Sequence, residues 1–536
     1  MGKERERFLD MVVYQIYPRS FLDTNGDGIG DLNGVRARLD YLCELGVNAV
    51  WLCPCYKSPN CDNGYDISDY RDIMDEFGTL ADWDELIKEM HLRGLRLIMD
   101  LVANHTSSQH EWFKKARLSR DNPYHDYYIW ADVPPNDWQS VFGGSAWEYN
   151  EPTGEYYLHS FAIQQPDLNW GNPKVRREIC DIVDFWAEKG VDGFRCDVLD
   201  YISKDFTADK MYNGPHLHEY IRELFGRENV RHLFTIGECS LGGRDVCDIC
   251  GENRRELTTV FQFEHLRFDG VDKYLPPSFS LDDVRDVLIK WQNFTAENSL
   301  LYTLFTDNHD WPYYISRFGN DKELRYECAT AIAAMFYLLR GIPFIYQGQE
   351  YGAANSYYDD ISAFNDVETL NYYKAREGGT PRARLMAEVN RGSRDNSRRP
   401  MAWTGDTATA HGFSTAKPWL KTATRADEIN LEKDKKRERS VFRFYQQLLA
   451  LRKENECIRR GSFADLTNER KGCFVYERAL GEDRCIVVCN FDKAQEIVLP
   501  SCVKEGEFVY ALGNYKDGEE YSSRFRPFEV AVYLKK

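Results

Sequence analysis

Residues 192–200 read DGFRCDVLD, an apolar run that nonetheless carries Arg195, Asp197 and Asp200. Burying charge is costly unless it is paired. Arg195 and Asp197 stand two apart, so on a strand they share one face. A guanidinium there favours the ionised form of the neighbouring carboxylate. An ionised Asp at the rim of a cleft can act as a nucleophile. Its working partner is then a second carboxyl, with a raised pKa, that can give up a proton. Glu238, closing TIGE, fills that part, and TDNHD adds His309 and Asp310. Two carboxyls divided into nucleophile and acid are the machinery of a retaining glycosidase.

These residues act together only if the elements that carry them converge. Eight β-rich runs recur, at 11–17, 47–54, 96–105, 193–198, 233–238, 258–263, 299–310 and 341–350. Helical spacing marks 34–45, 83–92, 174–188, 281–294, 323–339 and 441–453. Strands alternating with helices predict an α/β fold with a parallel sheet. Eight units predict a closed (β/α)8 TIM barrel, which carries its catalytic groups at the C-terminal ends of its strands. Strand 3 then ends on Asp100, Asn104 and His105, strand 4 on Arg195 and Asp197, strand 5 on Glu238, and strand 7 on His309 and Asp310. The stretches from 106 to 171 and from 351 to 438 exceed simple turns. The expected organisation is a catalytic barrel at 1–105 and 172–455. A small domain is inserted after strand 3, at 106–171, and a C-terminal all-β sandwich domain covers 456–536.

The 536 residues carry 68 basic and 86 acidic side chains, a net charge of −18. That balance argues against nucleic acid or an anionic membrane as the main partner. No apolar run approaches the ~20 residues a membrane span needs. The charged start, MGKERERFLD, shows no secretory signal. Fifteen cysteines without a regular framework read as reduced thiols. Cys53, Cys55 and Cys61, and the pair Cys247 and Cys250, lack the second half of a zinc site. A cytoplasmic protein, monomeric or weakly homo-oligomeric and acting on small oligosaccharides, is the expectation.

YQIYPRSF, NGYDISDY, DLVANH, QPDLNW, GFRCDV, GE, FEH, NHD and SRDNSRRPM follow one another along the chain. In these motifs and their order it resembles the α-amylase superfamily of glycoside hydrolases nearly end to end, within it the oligo-1,6-glucosidase and α-glucosidase group. The resemblance implies Asp197 as nucleophile, Glu238 as general acid/base and Asp310 as stabiliser of an oxocarbenium-like transition state. It implies that Arg195, His105 and His309 shape the same subsite, with Arg394 in the RDNSR string among the substrate-binding residues. Asp66 and Arg398 would grip the non-reducing end, Tyr65 would stack on the sugar ring, and Val198 would favour α-1,6 linkages. The implied activity is a retaining exo-α-glucosidase without an organic cofactor.

Asp23, Asn25, Asp27 and Asp31, with the Ile29 carbonyl, place hard oxygens at alternate positions around glycines, which suits a structural Ca²⁺. Trp311, Tyr313 and Ala402 depart from the family's pattern beside the catalytic trio. Trp311 is expected either to line the leaving-group side or to turn inward into the core. The same trio would serve a transglucosidase, a sucrose isomerase or an α-1,4- or sucrose-preferring α-glucosidase. Trehalose-phosphate hydrolysis would need cationic groups for the phosphate. A non-catalytic transporter partner would lack the carboxylates and carry a membrane helix.

Overall fold

Eight strands run parallel around a barrel: β1 (Val13–Ile16), β2 (Ala49–Leu52), β3 (Arg96–Val102), β4 (Gly193–Asp197), β5 (Phe234–Glu238), β6 (Thr259–Phe261), β7 (Thr303–Leu304) and β8 (Ile342–Tyr346). Their hydrogen-bonded order is β6-β5-β4-β3-β2-β1-β8-β7. The seam between β6 and β7 is closed by side chains. Thr259 Oγ1 donates to Leu301 O at 3.0 Å and Thr303 Oγ1 to Val260 O at 3.3 Å. The computed structural model describes residues 6–239, 241–251, 256–266, 272–504, 506–515 and 523–536.

β1, β2, β4 and β8 are buried along their whole length, because helices cover one face and barrel interior the other. Gly193 opens β4 where any Cβ would meet Phe234 O at 2.5 Å, so glycine sets how closely β4 and β5 approach. The covering helices start on clear signals. Thr79 and Asp82 form a capping box, Asn172 precedes Pro173, and Ser280 pairs with Asp283.

Three expectations are revised. The helix expected at 34–45 is two, Leu32–Ala37 and Leu39–Leu45, broken at Arg38. The run 299–310 contributes only Thr303–Leu304 to the sheet. Beyond it Asp307 and Asn308 take the backbone into turns: Tyr314 N donates to Asp307 Oδ1 and Asp310 N to Asn308 Oδ1 at 2.8 Å. Helices at Leu217–Phe225 and Gly243–Cys250 went unpredicted; the second carries Cys247 and Cys250 on one face. All fifteen cysteines stand outside disulfides.

Within 106–171 lies a three-stranded antiparallel sheet of Trp130–Ala131, Glu155–Leu158 and Trp147–Asn150. The long stretch after β8 contains helices Val367–Arg376, Arg382–Gly392 and Asp395–Arg398. Beyond the helix Glu456–Arg460, a five-stranded antiparallel sheet is built from Ser462–Asp465, Cys473–Leu480, Asp483–Asn490, Val530–Lys535 and Phe508–Gly513. Its alternation is read twice. Cys473, Val475, Ile486 and Val488 bury into its own core, whereas Phe474, Tyr476, Cys485 and Val487 join the barrel's core. Among the described residues no helix is long and apolar enough to cross a membrane.

Candidate active site

A pocket of about 390 Å³ opens at the C-terminal ends of the strands. Asp197, Glu238 and Asp310 line it, with Tyr65, His105, Val198, His309, Trp311 and Arg394. Strand ends from β4, β5 and the turn after β7 thus meet at one mouth, as barrel topology requires.

Arg195 is the hub of the floor, and it is buried. Nη1 donates to Asp100 Oδ1 at 2.8 Å and to Asp197 Oδ1 at 2.9 Å, while Nη2 donates to Glu238 Oε2. The guanidinium was expected to favour the ionised form of Asp197. It is instead shared by three carboxylates. Burial comes first in pushing the Asp197 carboxyl up, Arg195 opposes it, and the neighbouring Glu238, Asp100 and Asp310 add to the rise. One cation cannot neutralise three carboxylates in a desolvated site, so the Asp197 carboxyl is raised although it touches the guanidinium.

Asp310 has the opposite environment. Its Oδ1 accepts from Arg398 Nη2 at 2.8 Å and Arg394 Nη1 at 3.2 Å, and His309 Nε2 lies 3.0 Å from Oδ2. Burial favours the neutral acid, but His309, Arg398 and Arg394 together hold the carboxyl well below the usual range. Asp310 is a fixed negative charge facing the pocket.

His309 stacks on Tyr65, with centroids 5.3 Å apart and planes 5° from parallel. His105 is buried, and burial lowers its pKa to about 4, so it is neutral. Val198 follows Asp197 with φ 34° and ψ 49°. A β-branched residue in the left-handed region costs about 1–3 kcal/mol. That strain turns the chain out of β4 immediately after the presumed nucleophile.

Asp66 does not meet Arg398 and does not line the pocket. Its oxygens accept from Ser58 Oγ, Cys61 N and Asp62 N, each at 3.0 Å, which closes the 58–66 loop on itself. The acid that joins the RDNSR segment is Asp62, whose Oδ1 accepts from Arg394 Nη2 at 3.2 Å. Arg394 also reaches Asp366 Oδ1 through Nε at 2.8 Å. Arg398 lies behind Asp310, donating from Nε to His309 O at 2.8 Å. The sequence held a signal for Asp62: CDNGYD carries two acids, one on each side of Tyr65. Trp311 is both pocket wall and packed ring. Only 7% exposed, it lies under the Arg317 guanidinium at 4.6 Å and the Lys273 ammonium at 5.6 Å.

In the 23–31 loop Asp23 accepts from Asn25 N, Gly26 N and Gly28 N at 3.0, 2.7 and 2.9 Å and from Ser414 Oγ. Asp31 accepts from Thr24 N, Thr24 Oγ1 and Gly34 N. Both carboxylates are buried, and these partners are neutral. Hard oxygens without a cationic partner fit Ca²⁺ by donor chemistry. Among the described residues no three His, Cys, Asp or Glu side chains cluster as a metal site.

Residues 15–461 match the alpha-amylase catalytic domain, and the chain belongs to the alpha-amylase family of glycoside hydrolases. It is 44% identical to an oligo-1,6-glucosidase of Parageobacillus thermoglucosidasius, over 99% of both chains. It is 42% identical to a glucan 1,6-alpha-glucosidase of Streptococcus pneumoniae, over 92% of this chain and 93% of that one. A variant of the trehalose-6-phosphate hydrolase of Bacillus licheniformis superposes with a TM-score of 0.92 at 38% identity, over 99% of this chain and all of the other. An isomaltulose synthase variant from Erwinia rhapontici, solved with sucrose, gives 0.92 at 37% identity over 99% of each.

Proposed function

We propose that the protein is a retaining, exo-acting α-glucosidase that releases glucose from the non-reducing end of short α-1,6-linked oligosaccharides. The observation that carries this reading is the Arg195 bridge between Asp197 and Glu238. One guanidinium binding both through its terminal nitrogens holds the two carboxyls within one side chain's reach of each other, a close spacing that favours the retaining mechanism. Asp197 attacks the anomeric carbon while Glu238 protonates the departing oxygen, giving a glucosyl-Asp197 ester. Glu238 then takes a proton from water, which opens the ester with a second inversion. Asp310 stabilises positive charge on the ring in both steps. The Asp62–Arg394 pair closes one wall, so the site takes a chain end.

The 1,6 linkage is supported by the relatives' names and by Val198. Discrimination from one branched side chain amounts to ~1–3 kcal/mol. The trehalose-6-phosphate reading is disfavoured by charge: among the described residues, seven acidic side chains line the pocket against Lys273 and Arg394. Both cations are paired, Lys273 Nζ with Glu368 Oε2 at 2.7 Å and Arg394 with Asp62. That field repels a phosphate. The test is a panel of isomaltose, maltose, sucrose and trehalose 6-phosphate, with products identified and the anomer of the first-released glucose read by NMR. A higher kcat/KM on maltose than on isomaltose rejects the linkage; initial release of β-glucose rejects retention; isomerised disaccharide from sucrose selects the synthase chemistry.

We also propose that Asp23, Asn25, Asp27, Asp31 and the Ile29 carbonyl hold a structural Ca²⁺. A cation that binds only the folded state raises Tm by mass action. Chelation is expected to lower Tm and added Ca²⁺ to restore it; an unchanged Tm rejects the site. A cytoplasmic location is supported by the fifteen cysteines that stand outside disulfides.

A further inference from the structure

We propose that Gln15, on β1, is a positioning residue that fixes His309 as the neutral imidazole with its proton on Nε2, facing Asp310. The inference rests on the role given to Asp310 above. Gln15 Nε2 lies 2.8 Å from His309 Nδ1, and Gln15 is buried. On the other side of the ring, His309 Nε2 lies 2.8 Å from the Tyr65 hydroxyl and 3.0 Å from Asp310 Oδ2.

Asp310, held ionised by its cations, can only accept, and its Oδ2 lies 3.0 Å from His309 Nε2, so Nε2 carries the proton. The Tyr65 hydroxyl then accepts from Nε2 and donates to Asp100 Oδ2, at 3.0 Å. In a neutral ring Nδ1 must then accept, and the Gln15 amide is the donor that faces it.

The neutral form matters for charge. Asp310 already receives the Arg394 and Arg398 guanidiniums on Oδ1. A third cation on Oδ2 would cancel the negative charge that the transition state needs. A neutral N–H orients Asp310 without doing so. The other charged or titratable groups around the ring are Tyr17, stacked at 6.1 Å, Cys53, 3.3 Å from the Gln15 amide, Arg195 beside Tyr65, and Arg398, which holds the His309 carbonyl. None of these can replace Gln15 at Nδ1, because the amide occupies that position.

Three measurements test this. Histidine-selective ¹⁵N spectra of the wild-type protein, with His309 assigned by its loss in His309→Asn, are expected to show the neutral Nε2–H pattern from pH 6 to 8. An imidazolium or an Nδ1–H ring there overturns the proposal. This readout does not depend on which sugar is the substrate, so it fails separately from the functional reading. Gln15→Glu is expected to supply an acceptor at Nδ1, to make His309 titrate as an imidazolium, and to add an ionisation to the kcat profile. Gln15→Met is expected to lower kcat about ten- to a hundredfold with KM changed far less, the usual size for losing the partner behind a working imidazole. If both variants fold and keep the wild-type kcat and pH profile, Gln15 has only a packing role and the proposal is wrong.

Discussion

The floor and the wall of the pocket use the same two residue types to opposite ends. In the floor, Arg195 is one cation among Asp100, Asp197 and Glu238, and the carboxyl of Asp197 is pushed up. In the wall, Arg394 and Arg398 serve Asp310 and Asp366, and both carboxyls are pulled below their ordinary range. Burial pushes Asp197, Asp310 and Asp366 up alike; the cations set against each carboxyl decide which way it ends. An acid-rich cluster can pass a proton between members, which bond cleavage requires. Asp310 and Asp366, each within reach of both guanidiniums, remain fixed charges that bind and orient.

The largest effect expected is loss of the reacting groups themselves. Asp197→Asn, Glu238→Gln and Asp310→Asn should each lower kcat by about 10³-fold or more with the fold intact. Near-native turnover in any of them, on a substrate with a poor leaving group, removes that residue from its role. The comparison adds a distinction. Glu238→Gln should be rescued most by an activated aryl leaving group that needs no proton, whereas Asp310→Asn should not.

Breaking the wall should cost stability more than chemistry. Arg394→Met leaves Asp62 buried without its salt-bridge partner and Asp366 with only the more distant Arg398, and removing one partner of a buried pair costs ~3–5 kcal/mol. Thermal or denaturant unfolding measures it. A stability loss under 1 kcal/mol would mean that Arg398 alone holds the wall together.

Most of the floor was legible in the sequence and little of the wall was. Asp197 and Glu238 end apolar strands, so the chain itself says where they point. Asp62 and Arg394 meet across 332 positions from two irregular segments, and no periodicity reports that contact. Asp66 was expected at the wall, and Asp62 went unread, for the same reason. Both flank Tyr65, and only the folded loop shows that one is consumed by backbone N–H groups. The shortening of β7 was hidden too, because Asp307 and Asn308 compete with the sheet through their side chains.

Trp311 lines the same pocket, and two fates expected to be exclusive turn out to coincide. It lines the pocket and is packed under Arg317 and Lys273. Trp311→Ala should therefore lower stability by up to ~3–5 kcal/mol and also change kcat/KM unequally across leaving groups. Trp311→Phe keeps a ring for the cations and should recover most of the stability while the leaving-group ranking stays altered. If kcat/KM falls equally for every leaving group in both variants, Trp311 has no part in selection.

The smallest expected effect is one of pH, and it separates binding from folding at one residue. The Asp62 carboxyl is raised to about 6, chiefly by burial, against the pull of Arg394. A raised acid binds more protons folded than unfolded. Its contribution to stability is therefore greatest at low pH, declines as pH climbs from the ordinary carboxylate range to about 6, and is level above that. Binding runs the other way. Below about pH 6 Asp62 loses the charge that faces Arg394, the closed wall loosens, and KM for short oligosaccharides should rise. Acidification from 7 to 5 should thus raise KM several-fold while the Asp62 contribution to stability grows. Asp62→Asn is neutral at every pH, so its KM should be high and flat across that range. The stability difference between wild type and Asp62→Asn should shift in favour of the wild type as pH falls. A wild-type KM that is flat from 7 to 5, or a variant that keeps the wild-type pH dependence, would mean that the wall does not depend on the Asp62 charge.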